Sequence, residues 1–107
     1  MRRGTTSNQT FTLPFVLSNP EKIRITYKQY GYMLLEKNLV DLTITVNPET
    51  EKTMLALSLS EKETLKFYPG HANVQVRILM PNGTVYTSVS RSFAVEPMHD
   101  SEALSDA

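Results

Sequence analysis

TMLALSLSEKETLKFYPGHANVQVRILM, Thr53 to Met80, changes rhythm twice. Leu55, Leu57 and Leu59 recur at every second position, and so do Val74, Val76, Ile78 and Met80. Period-two alternation is the mark of a strand with one buried face. Between the two runs, Ser60-Glu61-Lys62-Glu63 reads as a capping box. The serine hydroxyl can accept from the Glu63 N–H, and the Glu63 carboxylate can reach back to the Ser60 N–H. Glu61 and Glu63 also suit the positive end of a helix dipole. Pro69-Gly70 stops the helix after about one turn, so packing must hold it, with Leu65 and Phe67 pointing into the core. Strand, single helical turn, strand is the signature of a corner where the chain crosses between sheets.

The flanking sequence keeps the strand rhythm. Ile23, Ile25 and Tyr27 alternate with Arg24, Thr26 and Lys28. Gly31 accepts a positive φ, so Gln29–Tyr32 forms a tight turn into a paired strand. Leu42, Ile44 and Val46 alternate with Asp41, Thr43 and Thr45. Upstream, Phe11, Leu13, Phe15 and Leu17 share one face, and Pro14 assigns that strand to a sheet edge. Ser18-Asn19-Pro20 and Pro81-Asn82-Gly83-Thr84 are turns. Val85, Val89, Phe93 and Val95 are in phase along a last strand. Arg91 falls on their side, which a β-bulge or a reach past the sheet end would explain. The expectation is an all-β chain, an antiparallel immunoglobulin-like β-sandwich of about seven strands with one short helical turn near 60–66. A small barrel is the alternative, since periodicity does not order a sheet.

The 107 residues suit one domain. We expect a flexible polar head over 1–9 carrying Arg2 and Arg3. The sandwich occupies 10–96. A flexible acidic tail covers 97–107, with Asp100, Glu102 and Asp106. There is no cysteine, which removes disulfides and thiolate metal sites. Lys plus Arg and Asp plus Glu number 11 each, a balance that gives no pull toward nucleic acid. No apolar run approaches the ~20 residues of a membrane span, and none follows the first basic residues as in a secretory signal. The chain is expected to be made in a cytoplasm.

Catalytic motifs do not emerge. His71 and His99 stand apart from each other and from any ligand cluster. Glu61 and Glu63 are accounted for by the cap, and Glu49 and Glu51 by a loop. No catalytic, cofactor-binding or metal residues are therefore assigned, and an enzyme is not expected. The candidate interface is Tyr30, Tyr32, Met33, Leu35 and Tyr86. Tyrosine is common at contact surfaces. Alternation from Tyr30 to Leu35 would also put apolar groups on both faces of one strand.

The order of these pieces resembles small proteins encoded among the structural genes of phages and prophages of Gram-positive bacteria. The residues that carry it are Leu59-Ser60-Glu61-Lys62-Glu63-Thr64-Leu65 ahead of Val74-Gln75-Val76-Arg77, with TFTLPF before them and Glu36-Lys37 on the return strand. The pattern is also similar to the β-sandwich domains that begin baseplate upper proteins. It covers residues 10–96 and contains no chemical motif. The resemblance implies a virion structural or assembly protein, associated with tail, neck or baseplate. Its partners would be other virion proteins and copies of itself, with no nucleic acid or membrane. The alternative is an immunoglobulin-like binding module for a carbohydrate or a host surface protein, although the absence of tryptophan weakens a sugar platform.

Overall fold

Alternating apolar and polar residues become eight strands among the residues described by the computed structural model, which are 1–88 and 90–97. β1 (Ser7–Leu13), β5 (Lys52–Leu59) and β4 (Thr43–Asn47) form a three-stranded sheet in the order β1-β5-β4. β3 (Tyr32–Asn38), β2 (Lys22–Gln29), β6 (Gly70–Leu79), β7 (Val85–Thr87) and β8 (Arg91–Val95) form a five-stranded sheet, in which β7 and β8 both pair with β6. Every strand pairing is antiparallel. In immunoglobulin lettering the small sheet corresponds to B-E-D and the large one to C′-C-F-G. The chain is an immunoglobulin-like β-sandwich. Among the described residues no pairing joins the two sheets, so the barrel alternative falls away.

The core lies between the sheets. Leu55, Leu57 and Leu59 meet Ile23, Ile25, Tyr27, Val74, Val76 and Ile78 there. Tyr27 takes Phe67 and Phe93 edge-on, with ring centroids 5.9 and 6.1 Å away. The corner contains α1 (Glu61–Thr64) with both capping-box bonds formed, at 3.2 and 2.9 Å. Phe67 plugs it and is fully buried. Leu65 is half-buried at the rim, while Thr64 is buried instead.

Several boundaries differ from the sequence reading. The first strand starts at Ser7 and stops at Leu13 rather than running through Pro14. Proline cannot supply the next ladder donor, and the buried Thr53 hydroxyl takes over, donating to Phe15 O and accepting from Leu17 N. The head is docked, not free. The Met1 amine donates to Ala94 O, Glu96 N to Met1 O and Arg3 N to Glu96 O, a short parallel pairing beside β8. Gly4 N and Thr5 O both bond the Thr64 hydroxyl. Leu39–Asp41 is a 3-10 turn, capped by the Asp41 carboxylate on Asn38 N, so the expected strand there begins only at Thr43.

The long last strand is split. Arg77 faces Thr87 and Val74 faces Arg91, so three steps on β6 oppose four on the partner. That extra residue is a bulge of the kind Arg91 suggested, and it reverses the phase. Tyr86, not Val85, faces inward with Phe93 and Val95. Ser88 stitches the gap: its hydroxyl accepts from Val76 N and its N–H donates to Val76 O. Val89 and residues 98–107, which include His99 and nearly all of the expected acidic tail, lie outside the described residues.

Candidate functional site

One end of the large sheet is built around a buried amide. Gln29 continues the inward phase of Ile23, Ile25 and Tyr27, yet it is polar. Its Nε2 donates to Tyr68 O at 2.7 Å and His71 O at 3.3 Å, and its Oε1 accepts from Tyr68 N at 2.7 Å. The side chain thus replaces a strand neighbour for the backbone of the α1–β6 corner. The adjoining hairpin turns on Tyr30 and Gly31, with φ of 52° and 81°. Two positive values are the geometry of a type I′ turn, whose twist matches that of the strands.

Tyrosines surround this clamp. Tyr30, Tyr32, Met33 and Tyr68 are 67%, 74%, 58% and 61% exposed, although Gln29 and Phe67, next to Tyr30 and Tyr68, are almost fully buried. The Tyr30 and Tyr68 rings lie 6.4 Å apart, tilted by 46°. The Tyr30 hydroxyl donates to Pro69 O. Gly70 keeps room for it, because a Cβ there would meet that hydroxyl at 3.0 Å. Tyr32 stands opposite Gln29, on the core side of β3 but beyond the core's end. Met33 stands opposite Lys28, on the outer face. It lines a shallow trough of about 420 Å³ shared with Arg24, Lys28, Glu36, Gln75 and Arg77. Arg24 lies directly across from Arg77, and Glu36 offsets the like charges by pairing with Arg24 at 3.0 Å.

The other two candidate interface residues turn inward. Tyr27 opposes Leu35 and Lys28 opposes Met33, so Leu34 is an extra residue in β3. The bulge breaks the alternation: Leu35 is buried in the core and Leu34 packs against it half-buried. The face expected to hold Met33 and Leu35 together does not exist. Tyr86 is half-buried, edge-on to Phe15 at 5.0 Å, and closes the far end of the core. Sequence reasoning had a signal for Gln29, since it shares the inward phase, but no signal for its corner partner.

Between the sheets, Lys37 extends inward from β3 to the Glu63 carboxylate. Burial pushes the Glu63 carboxyl up. The Lys37 hydrogen bond, the Ser60 N–H, the Lys37 charge and the Ser60 hydroxyl outweigh it and hold the carboxyl below its usual range. The nearby Tyr27 hydroxyl is buried with no hydrogen-bond partner among the described residues. Burial first, and then the Glu63 charge, push its phenol far above the ordinary tyrosine value. Both groups are locked into packing, which suits them to hold the corner rather than move protons. Among the described residues, no group of three acidic, histidine or cysteine side chains is placed to hold a metal, and no helix is long and apolar enough to cross a membrane.

No protein-family model matches the chain, and neither does any curated protein sequence. Among solved structures, the chain is similar to CopC from Methylosinus trichosporium OB3b, at 13% identity and a TM-score of 0.50 over 92% of this chain and 85% of that one. A looser likeness is to the IG1–IG1 heterodimer of ZIG-8 and RIG-5, at 11% identity and a TM-score of 0.32 over 92% and 78%. At these identities the first likeness speaks to the fold alone, and the second adds nothing to it.

Proposed function

We propose that this chain is a non-enzymatic structural or assembly protein of a phage or prophage virion, made in the host cytoplasm and acting through protein–protein contacts. The observation that carries the contact role is the group of exposed tyrosines, 30, 32 and 68, set around the buried Gln29 clamp. Tyrosine offers a large amphipathic surface with few rotatable bonds, so a rigid mount lowers the entropy lost on docking. The virion assignment is supported by the strand-and-corner order over residues 10–96, which resembles phage structural proteins.

The test is to induce particles from cells that encode the chain, purify them and probe them by immunoblot. The chain should travel with the particles. Tyr32→Ala and Tyr68→Ala should remove it from them while its melting temperature holds. Particles free of the wild-type chain would overturn the proposal. The open Tyr30–Tyr68 pair also favours a second reading, a module that binds a carbohydrate or a host surface protein. Binding of the free chain to a glycan array, abolished by Tyr68→Ala, would select that reading.

A further inference from the structure

We propose that the free edge of β1 is a second contact surface, and that its occupant is β1 of another copy of this chain, paired antiparallel across a two-fold axis at Thr10. Unpaired strand edges recruit other strands, and proteins blunt them with charge, proline, bulges, short length or a covering segment. Each other edge among the described residues carries such a device. β3 has its bulge at Leu34 and the charges of Glu36 and Lys37. β8 is covered by residues 1–3. β7 has three residues. β4 has five, bounded by the 3-10 turn and Pro48.

β1 has only Pro14 just past its end, with no charge, bulge, short length or covering strand among the described residues. It pairs with β5 over seven residues without a break, and no other strand among the described residues takes its outer side. No charged residue lies between Arg3 and Glu21 in a chain that is 21% charged. In the immunoglobulin order this is the place of strand A, which no described strand fills.

The strand is also complementary to itself. A two-fold axis at Thr10 sets Asn8 against Thr12 and Thr10 against its own copy on the solvent face. Hydroxyl and amide pairs across antiparallel strands are favourable, and no like charges meet. Pro14 ends the ladder at the same place in both copies. The two three-stranded sheets would join into one continuous sheet, held by backbone hydrogen bonds in the manner of strand addition. The solvent face of that sheet carries Lys52 as its sole charge among β1, β4 and β5. This surface is separate from the tyrosine end, and the inference stands without the virion assignment.

Light scattering on eluting protein across a concentration series tests it. The wild type should move from monomer to dimer and stop there. Thr10 is exposed, so Thr10→Lys and Thr10→Glu should each keep the melting temperature. Each alone should weaken the dimer at least about tenfold by setting like charges face to face. An equimolar mixture of the two should restore it. A wild-type monomer up to about 1 mM, the weakest range of specific association, overturns the proposal. So does a dimer indifferent to Thr10→Lys. A mass that climbs without limit also overturns it, and indicates β1 docking on β4 of the next copy.

Discussion

β1, β5 and β4 pair residue for residue, whereas the large sheet loses register twice, at Leu34 and between Thr87 and Arg91. The small sheet turns toward solvent a face of threonine, asparagine, serine and alanine, with Met54 and Lys52 among them. The large sheet presents arginine, lysine and glutamate. The smooth ladder needs a side chain only past its end, where the Thr53 hydroxyl bonds Phe15 O and Leu17 N. An interrupted one needs side chains to bond the backbone groups left over, and Gln29 and Ser88 do so here. Regularity leaves an edge open to a partner, while irregularity closes edges and re-aims side chains, as at Met33 and Leu35.

The largest perturbation should come from the residue that plugs the corner joining the two sheets. Phe67→Ala should cost about 3–5 kcal/mol by opening a cavity under the corner. Urea unfolding followed by two probes should show one transition. Separate unfolding of the sheets would break the comparison as drawn. Gln29→Ala strands the Tyr68 N–H and O near the surface of the core and should cost about 2–3 kcal/mol. The matching change in the small sheet is Ser58→Ala, whose hydroxyl bonds exposed Asn8, and it should cost about 0.5 kcal/mol or less. Equal losses from the two would show that side-chain patches matter no more in one sheet than in the other.

Glu63→Gln should cost about 1–2 kcal/mol, from half of the capping box and the Lys37 pair. Its folded carboxyl lies below the ordinary value of 4.5, so its contribution is complete above that pH and is lost as pH falls through the folded value. Thermal melts should therefore show wild type and variant converging below pH 4.5. A gap that persists in acid would mean the carboxylate charge is not the source. Ser88→Ala should cost about 1 kcal/mol, with amide exchange rising at Val76 before it rises elsewhere in β6. One effect has the opposite sign: Tyr27→Phe removes a buried hydroxyl with no partner among the described residues and should raise stability by about 1 kcal/mol or less.

The fold class was legible because burial forces alternation, and most inward residues obey it: Ile23, Ile25, Tyr27, Leu55, Leu57, Leu59, Val74, Val76 and Ile78. The corner was legible because its capping box is local, closed within three residues. Bulges were half legible. Arg91 out of phase announced one, but Leu34 between apolar neighbours announced nothing, and Leu35 was therefore assigned to a surface it does not reach. The docked head was illegible because its partners lie far away, as with Met1 on Ala94, 93 residues distant. Tyr30, Tyr32 and Met33 were interface candidates from residue type and strand alternation, but what mounts them depends on Gln29 reaching residues 68 and 71.

Residues 1–3 run parallel to the end of β8 and the residue after it, joined through Met1, Arg3, Ala94 and Glu96. Pulling on residue 1 and residue 97 therefore draws the two segments past each other along their length. The bonds across them take that tension together in shear, instead of peeling open singly as they would in an antiparallel pair. Mechanical load entering at the two ends of the domain meets this clasp before it reaches the core.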